Sequence, residues 1–508
     1  MNKHKWVSLL AAALLAACAS VTNPVSGQRE LTVMDEKSEI AAGAKAHQEV
    51  LKEYGVVDDA ALQAYVDGVG QKLAAKSQRA QLKWSFTVLD SPQINAFALP
   101  GGYIYITRGL MAYLDNEAEL AGVLGHEIGH VTARHGAQQA TRQTGAAIGV
   151  GLAAIGGAVL EAATGVSGIA DIVGGVAQAG AAGLIASYSR DQELQADQLG
   201  AEYLARNRYD PAYMVEVIQV LKDQERYAAE AAKAAGRAPP AAPGWLASHP
   251  SNDQRLQQIR ASARQLAGAT GAAGAGWDDP GHDRYLKAVD GMSFGDSRAQ
   301  GVVRGRQFFH EPLGVALTAP PGWRIVNDSE QLMLIDGARD AALVMQVVPA
   351  EVVRKSGGNH AAILRQALGA TDGRTETLTL GGNLQATHFV GRRRDRNGNS
   401  GPLDATLVNG PGAQVFLLGR VGRDAAALQR AAPALREAEL SFRAMTAADR
   451  RAARPWQLKL VPFPAGGFAA LARSSPLTEL PQQQLRLLNG VYGGEAEPPT
   501  GRLVKVVQ

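Results

Sequence analysis

The sequence predicts a multidomain protein: a mainly α-helical domain, then an α+β domain, then a small C-terminal module. Three observations lead there. The chain has 508 residues, more than one ordinary core accommodates. Hydrophobic residues make up 46% and charged residues 19%, the balance of folded globular material. Hydrophobic periodicity changes from helical to strand-like across the glycine- and alanine-rich stretch "LAGATGAAGAGWDDPG", residues 266–281. The formal net charge of +3 is small for this length and gives no reason to expect a nucleic-acid partner.

The N-terminus reads "MNKHKWVSLLAAALLAACAS": two lysines, then an apolar run too short for a membrane span and typical of a signal peptide, residues 1–17. Cys18 is the single cysteine, so neither a disulfide within the chain nor a cysteine metal cluster can form. "LAAC", Leu15 to Cys18, resembles the lipobox of bacterial lipoproteins, in which the cysteine is acylated and becomes the first mature residue. Two or more acyl chains give stable anchoring without a span. Ala19, rather than aspartate, follows the cysteine; by resemblance to Gram-negative lipoproteins, this favours the inner leaflet of the outer membrane, facing the periplasm.

Residues 18–34 read as a lipid-anchored tether containing "NPVSGQRE". Helical patterning begins near Asp35 and opens a domain expected to run to residue 265. "LKWSFTVLD" and "GGYIYITRG" alternate as strands, with "SPQINAFALPGG" turning between them. Asn116 with Glu119 predicts the cap of a long helix. Residues 145–187 are rich in glycine and alanine, a composition for close-packed helices rather than for spans. Residues 266–300 read as a linker. Strand and helix patterns over 301–445 give an α+β domain of ordinary size, whose basic loop "GRRRDRNGN" is expected to be an exposed hairpin. Residues 455–508, with "LLNGVYGGEAEPPTGRLVKVV", loosely resemble a LysM glycan-binding module, which implies contact with peptidoglycan.

The chemistry is concentrated in "AELAGVLGHEIGHVTARHGAQQ", residues 118–139. On a helix, positions four apart lie about 40° apart around the axis, so His126 and His130 can direct both imidazoles at one ion roughly 2 Å away. Glu127 is displaced about 60° from His130, close enough to act on a water without being a ligand. Ile128 is expected to face the core, and Gly129 to leave room beside the metal. The same two histidines would also be compatible with a hydrogen-bonded core pair. Zinc in a hydrolase takes three protein ligands plus water, and "SRDQELQADQLG" supplies the third. Glu193 is assigned to the metal, and Asp197, four residues on, to a ring N–H of a ligand histidine, fixing its tautomer. This spacing would equally suit a solvated acidic helix face. Two histidines and a carboxylate also describe oxygenase iron sites, but the helical HExxH with its adjacent base argues for zinc hydrolysis, with one ion per chain.

"INAFALPGGYIYITRGLM", "ELAGVLGHEIGHVTARH", "SRDQELQADQLG" and "SHPSNDQR" occur in that order. Together they resemble the HtpX-like and CAAX-prenyl-protease-type zinc metallopeptidases, in particular their periplasmic lipoprotein branch, over about residues 24–265. The resemblance implies a zincin-type fold, zinc on His126, His130 and Glu193, Glu127 as catalytic base and Asp197 in support. It also implies that His249 of "SHPSNDQR" can approach the metal and hold the enzyme latent, or assist the transition state. Arg255 is expected to anchor this segment through a carboxylate. The chain departs from relatives with a helical repeat at the C-terminus, for none is present here. The expected function is a zinc endopeptidase cleaving unfolded or misassembled envelope proteins, with "GGYIYITRG" as the edge strand that pairs with extended substrate. The competing expectation is a latent or non-catalytic envelope-assembly factor that binds peptidoglycan or outer-membrane proteins.

Overall fold

A computed structural model describes residues 19–146, 188–236, 249, 253–269, 276–327, 331–394, 400–494 and 496–508. The signal peptide, Cys18 and nearly all of the glycine- and alanine-rich segment lie outside the described residues. The chain divides into two compact units. One takes the described residues up to 295 together with 456–508; the other takes those from 296 to 455. Among the described residues no helix is long and apolar enough to cross a membrane.

The first unit opens with an antiparallel hairpin, β1 (Ala19–Thr22) and β2 (Arg29–Thr32), where the sequence suggests a loose tether. The buried side chain of Asn23 closes its turn by accepting from the amides of Val25 and Ser26. Helical patterning after Asp35 resolves into α1 (Glu36–Tyr54) and α2 (Ala60–Ala74), broken at Gly55, whose φ of 69° a side-chain-bearing residue rarely adopts. A three-stranded sheet follows: β3 (Ser85–Leu89), β4 (Ala96–Leu99) and β5 (Tyr103–Thr107), in the order β3-β5-β4. The expected turn thus contains a strand of its own, because "AFAL" pairs antiparallel with β5. Strand β5 is therefore central, not an edge; β4 takes the edge.

A single turn, α3 (Arg108–Met111), leads to α4 (Glu117–Thr132), α5 (His135–Ala146), α6 (Arg190–Arg206), α7 (Tyr213–Ala234), α8 (Asp253–Ala269) and α9 (His282–Val289), then strand β6 (Ser293–Phe294). Helix α9 occupies part of the stretch expected to be a linker. Its buried Tyr285 and Leu286 give it an apolar face, and the Tyr285 hydroxyl donates to the carbonyl of Met111.

Residues 456–508 are part of this unit instead of standing apart as a module. The strand Trp456–Pro462 pairs with Leu503–Val507 on one side and with β6 on the other. Phe468, Leu485 and Val504 share one core with Val66, Leu120 and Ile218. Buried Lys505 donates to the carbonyls of Ala112 and Leu114, just before α4 begins.

The second unit carries a seven-stranded antiparallel sheet, with separate apolar clusters formed by alternate residues of its strands. The helix Ala425–Leu440 contributes Leu435 and Ala438 to one of them. The basic loop joins two paired strands, Leu384–Arg394 and Ser400–Asn409, as a hairpin; residues 395–399 lie outside the described set.

The Lys505 contact gives a test of the C-terminal strand's place. Lys505→Met should destabilise the first unit by about 2–4 kcal/mol, since two buried carbonyls lose their donor. The urea midpoint of that unit reads it, and an unchanged midpoint would refute the role.

Candidate metal centre

Helix α4 starts where the sequence predicts. Asn116 caps it, its side chain accepting from the Glu119 amide, while the Glu119 carboxylate accepts from the Asn116 side chain and the Asp115 amide. All sixteen residues of α4 are buried, and Ile128 lies in the apolar core as expected. Helix α6 begins with a capping box of Ser189 and Gln192.

The two helices cross through small residues. A Cβ built on Gly129 would stand 3.0 Å from the carbonyl oxygen of Ala196, and one on Gly200 would stand 3.0 Å from the amide nitrogen of His126. Gly129 therefore does not make room for a metal, as the sequence reading supposes; it makes room for the backbone of α6.

This crossing brings the predicted residues together. His126 Nδ1 lies 2.8 Å from Asp197 Oδ1, and Arg255 clamps the same carboxylate with Nε at 2.5 Å and Nη2 at 2.8 Å. The expected carboxylate anchor of Arg255 is thus Asp197, with Glu193 Oε2 also 3.0 Å from its Nη1. His126 Nε2 faces His130 Nε2 at 3.0 Å and His249 Nδ1 at 3.3 Å. Glu193 Oε1 stands 2.9 Å from His249 Nδ1 and 3.5 Å from His130 Nε2, and its Oε2 stands 3.6 Å from His126 Nε2. Candidate ligand atoms of His126, His130, Glu193 and His249 all lie within 4.8 Å of one another, and all four residues are buried. Glu127 Oε1 is 3.7 Å from His249 Nε2.

Protonation states follow from these surroundings. Burial acts to raise the Asp197 pKa, but Arg255 and His126 outweigh it and hold the group at about 2. A carboxylate there requires the proton of His126 on Nδ1, which leaves Nε2 as a lone pair. Burial lowers the pKa of His126 against the pull of Asp197, and lowers that of His130 further. Burial, then the nearby Arg255 charge, takes His249 down to about 3. Burial pushes Glu193 up to about 7. The cluster is thus neutral imidazoles around a carboxyl group, with a ring nitrogen of each of the three histidines facing Glu193.

Such a donor set fits a metal ion. Four ligands at about 2.0–2.1 Å in tetrahedral array stand about 3.3–3.4 Å apart, and the contacts among the four groups run from 2.9 to 3.6 Å. Oxygen and nitrogen donors of this kind suit zinc. His249 belongs to the set as closely as the three residues the sequence assigns to it.

Two neighbours escape the sequence reading. His135 Nδ1 lies 2.9 Å from His130 Nδ1, and its Nε2 lies 2.9 Å from Gln195 Oε1. Tyr188 stacks on His130 with ring centroids 4.0 Å apart. The third histidine of "HEIGHVTARH" was a visible signal for the first; nothing marked the tyrosine.

With this geometry in view, comparison with known proteins is decisive for the segment that carries it. The sequence model of Peptidase family M48 matches residues 60–263. This segment is a family M48 peptidase domain. The M48 domain is similar to the beta-barrel assembly-enhancing protease of Yersinia pestis, 34% identical over 211 residues, and to that of Escherichia coli K12, 31% identical over the same length. Each match covers 42% of this chain and 41% of the relative, so the chain spans well under half the length of these curated relatives. It is also similar to the mitochondrial metalloendopeptidase OMA1 of Schizosaccharomyces pombe, 28% identical over 242 residues, covering 46% of this chain and 64% of the relative.

Two substitutions test how the M48 domain builds its centre. Gly129→Val should force α4 away from α6 and abolish stoichiometric zinc binding; full occupancy in a folded variant would contradict the packing argument. Asp197→Asn should weaken zinc affinity about 10–100-fold, read by competition with a chromophoric chelator while circular dichroism reports the fold.

Proposed function

We propose that this chain is a zinc-dependent endopeptidase, attached through acylated Cys18 to the inner leaflet of the outer membrane, that cleaves unfolded or misassembled envelope proteins. The buried cluster of His126, His130 and Glu193, with Glu127 on the same helix, carries the proposal. The names of the relatives, a beta-barrel assembly-enhancing protease and a metalloendopeptidase, support proteolysis in quality control of the envelope.

In this reading His126, His130 and Glu193 hold one zinc ion, and Asp197 fixes the tautomer of His126 while Arg255 fixes Asp197. When bound, zinc polarises a scissile carbonyl and makes a water nucleophilic near neutral pH. Glu127 takes the proton of the attacking water and returns it to the departing amine. The edge strand β4 and Pro100 line a small recess with His130 and Tyr188. Substrate pairs there as an added strand, which selects extended or unfolded segments.

Burial of the whole cluster gives His249 its part. Substrate reaches the zinc once His249 leaves its place between Glu193 and Glu127, so the resting enzyme is latent. The second reading, an assembly factor with a permanently closed site and peptidoglycan contact through residues 456–508, draws on the same buried His249.

Cleavage of casein by zinc-loaded variants separates the two. Glu127→Gln should retain zinc and fold yet lose about a hundredfold or more of the rate. His249→Ala should cleave faster than wild type. Equal cleavage by wild type and Glu127→Gln would remove Glu127 from the mechanism. No cleavage by wild type or His249→Ala, with Glu127→Gln still complementing a deletion strain, would favour the assembly factor. Independently, Cys18→Ser should abolish acyl labelling and release the protein from the outer-membrane fraction.

A further inference from the structure

Described chain leads from Ala19 to the metal helix. Strand β1 begins at Ala19, the residue after Cys18, and pairs with β2 from its first position, Ala19 opposite Thr32. At the end of β1, the buried Asn23 side chain donates to the carbonyl of Ala133, the residue that caps the C-terminal end of α4, at 3.0 Å. His130 stands one turn back along that helix.

We infer that the peptidase unit does not float on a tether but sits flush on the bilayer, with the β1–β2 hairpin against the headgroup layer. This inference rests on acylation of Cys18, as proposed above. Five residue steps of extended chain reach at most about 18 Å. Adding the Asn23 contact and one helical turn puts His130 no more than roughly 30 Å from the acylated residue. The covalent link therefore caps the height of the metal centre above the bilayer and keeps the hairpin next to it.

The surface chemistry of the hairpin fits that placement. Leu31 lies opposite Ser20, two residues from the anchor, and is 66% exposed, the most exposed large hydrophobic side chain among the described residues. It lines a surface cleft with Arg142 of α5, whose side chain is exposed. Exposed Arg29 is held beside Ser20 by a hydrogen bond from its Nε. An apolar side chain flanked by guanidinium groups suits an interface of acyl chains and anionic phosphates. The metal centre is thereby held within reach of polypeptides at the membrane surface.

The test uses the full acylated chain in vesicles of phosphatidylethanolamine and phosphatidylglycerol. Because Cys18 is blocked by acylation, Leu31→Cys offers one free thiol for a fluorophore, and headgroup nitroxide lipids serve as quencher. The probe should be quenched strongly. Inserting twenty Gly/Ser residues between Cys18 and Ala19, a coil of roughly 25 Å, should reduce quenching at least threefold. Acyl labelling is measured on the same samples. Weak quenching in the acylated parent, or equal quenching with and without the insert, overturns the flush placement and leaves the lipoprotein reading standing. Absence of the acyl label overturns both.

Discussion

The close crossing of α4 and α6 is the constraint on which the rest of the centre depends. His126 and His130 share one helix, and Glu193 and Asp197 share another. Neither pair can hold a metal alone. They meet because Gly125 and Gly129 of α4 lie against Gly200 and Ala196 of α6 with no side chain between the backbones. At ordinary interhelical distances, the carboxylates would stand too far from the imidazoles. The hydrogen bond from His126 to Asp197 and the approach of Glu193 to both histidines both follow from that closeness.

Electrostatics then set the state of the groups the crossing assembles. Two buried carboxyl groups one helical turn apart behave in opposite ways. Asp197, clamped by two nitrogens of Arg255, stays ionised at about 2, whereas burial takes Glu193 up to about 7. The difference separates a permanent anchor from a group whose charge a bound cation would favour. The same burial keeps the imidazoles neutral, the only form in which histidine ligates. Arg255 also reaches the carbonyl of His249, so the residue that fixes the anchor also steadies His249.

Both ends of the metal helix are tied down by distant parts of the chain. At its start, Lys505 from the last strand holds the carbonyls of Ala112 and Leu114. At its end, Asn23 holds the carbonyl of Ala133, and Arg79, itself bound to Glu39, holds that of Val131. Carbonyls at a helix C-terminus lack partners within the helix, and here buried side chains supply them. The helix carrying His126, Glu127 and His130 is therefore fixed along its axis as well as across it.

By itself the sequence determined which residues could share a metal-binding face. His126, Glu127 and His130 at helical spacing, and Glu193 with Asp197 four residues apart, were legible because local periodicity places them on a common face whatever the rest of the fold. The cap at Asn116 and most strands of the second unit were legible for the same reason. Tertiary structure alone decided what depends on residues far apart in sequence. It made β5 central and β4 the edge, because strand order reflects pairing rather than hydrophobic alternation. It gave Gly129 a packing partner in α6 that no local pattern names. It converted the expected tether into a hairpin and drew residues 456–508 into the first core, because Asn23 and Lys505 find their acceptors at Ala133 and at Ala112 and Leu114. It also set His249 against Glu193, since a loop residue takes its neighbours from the surfaces that close over it.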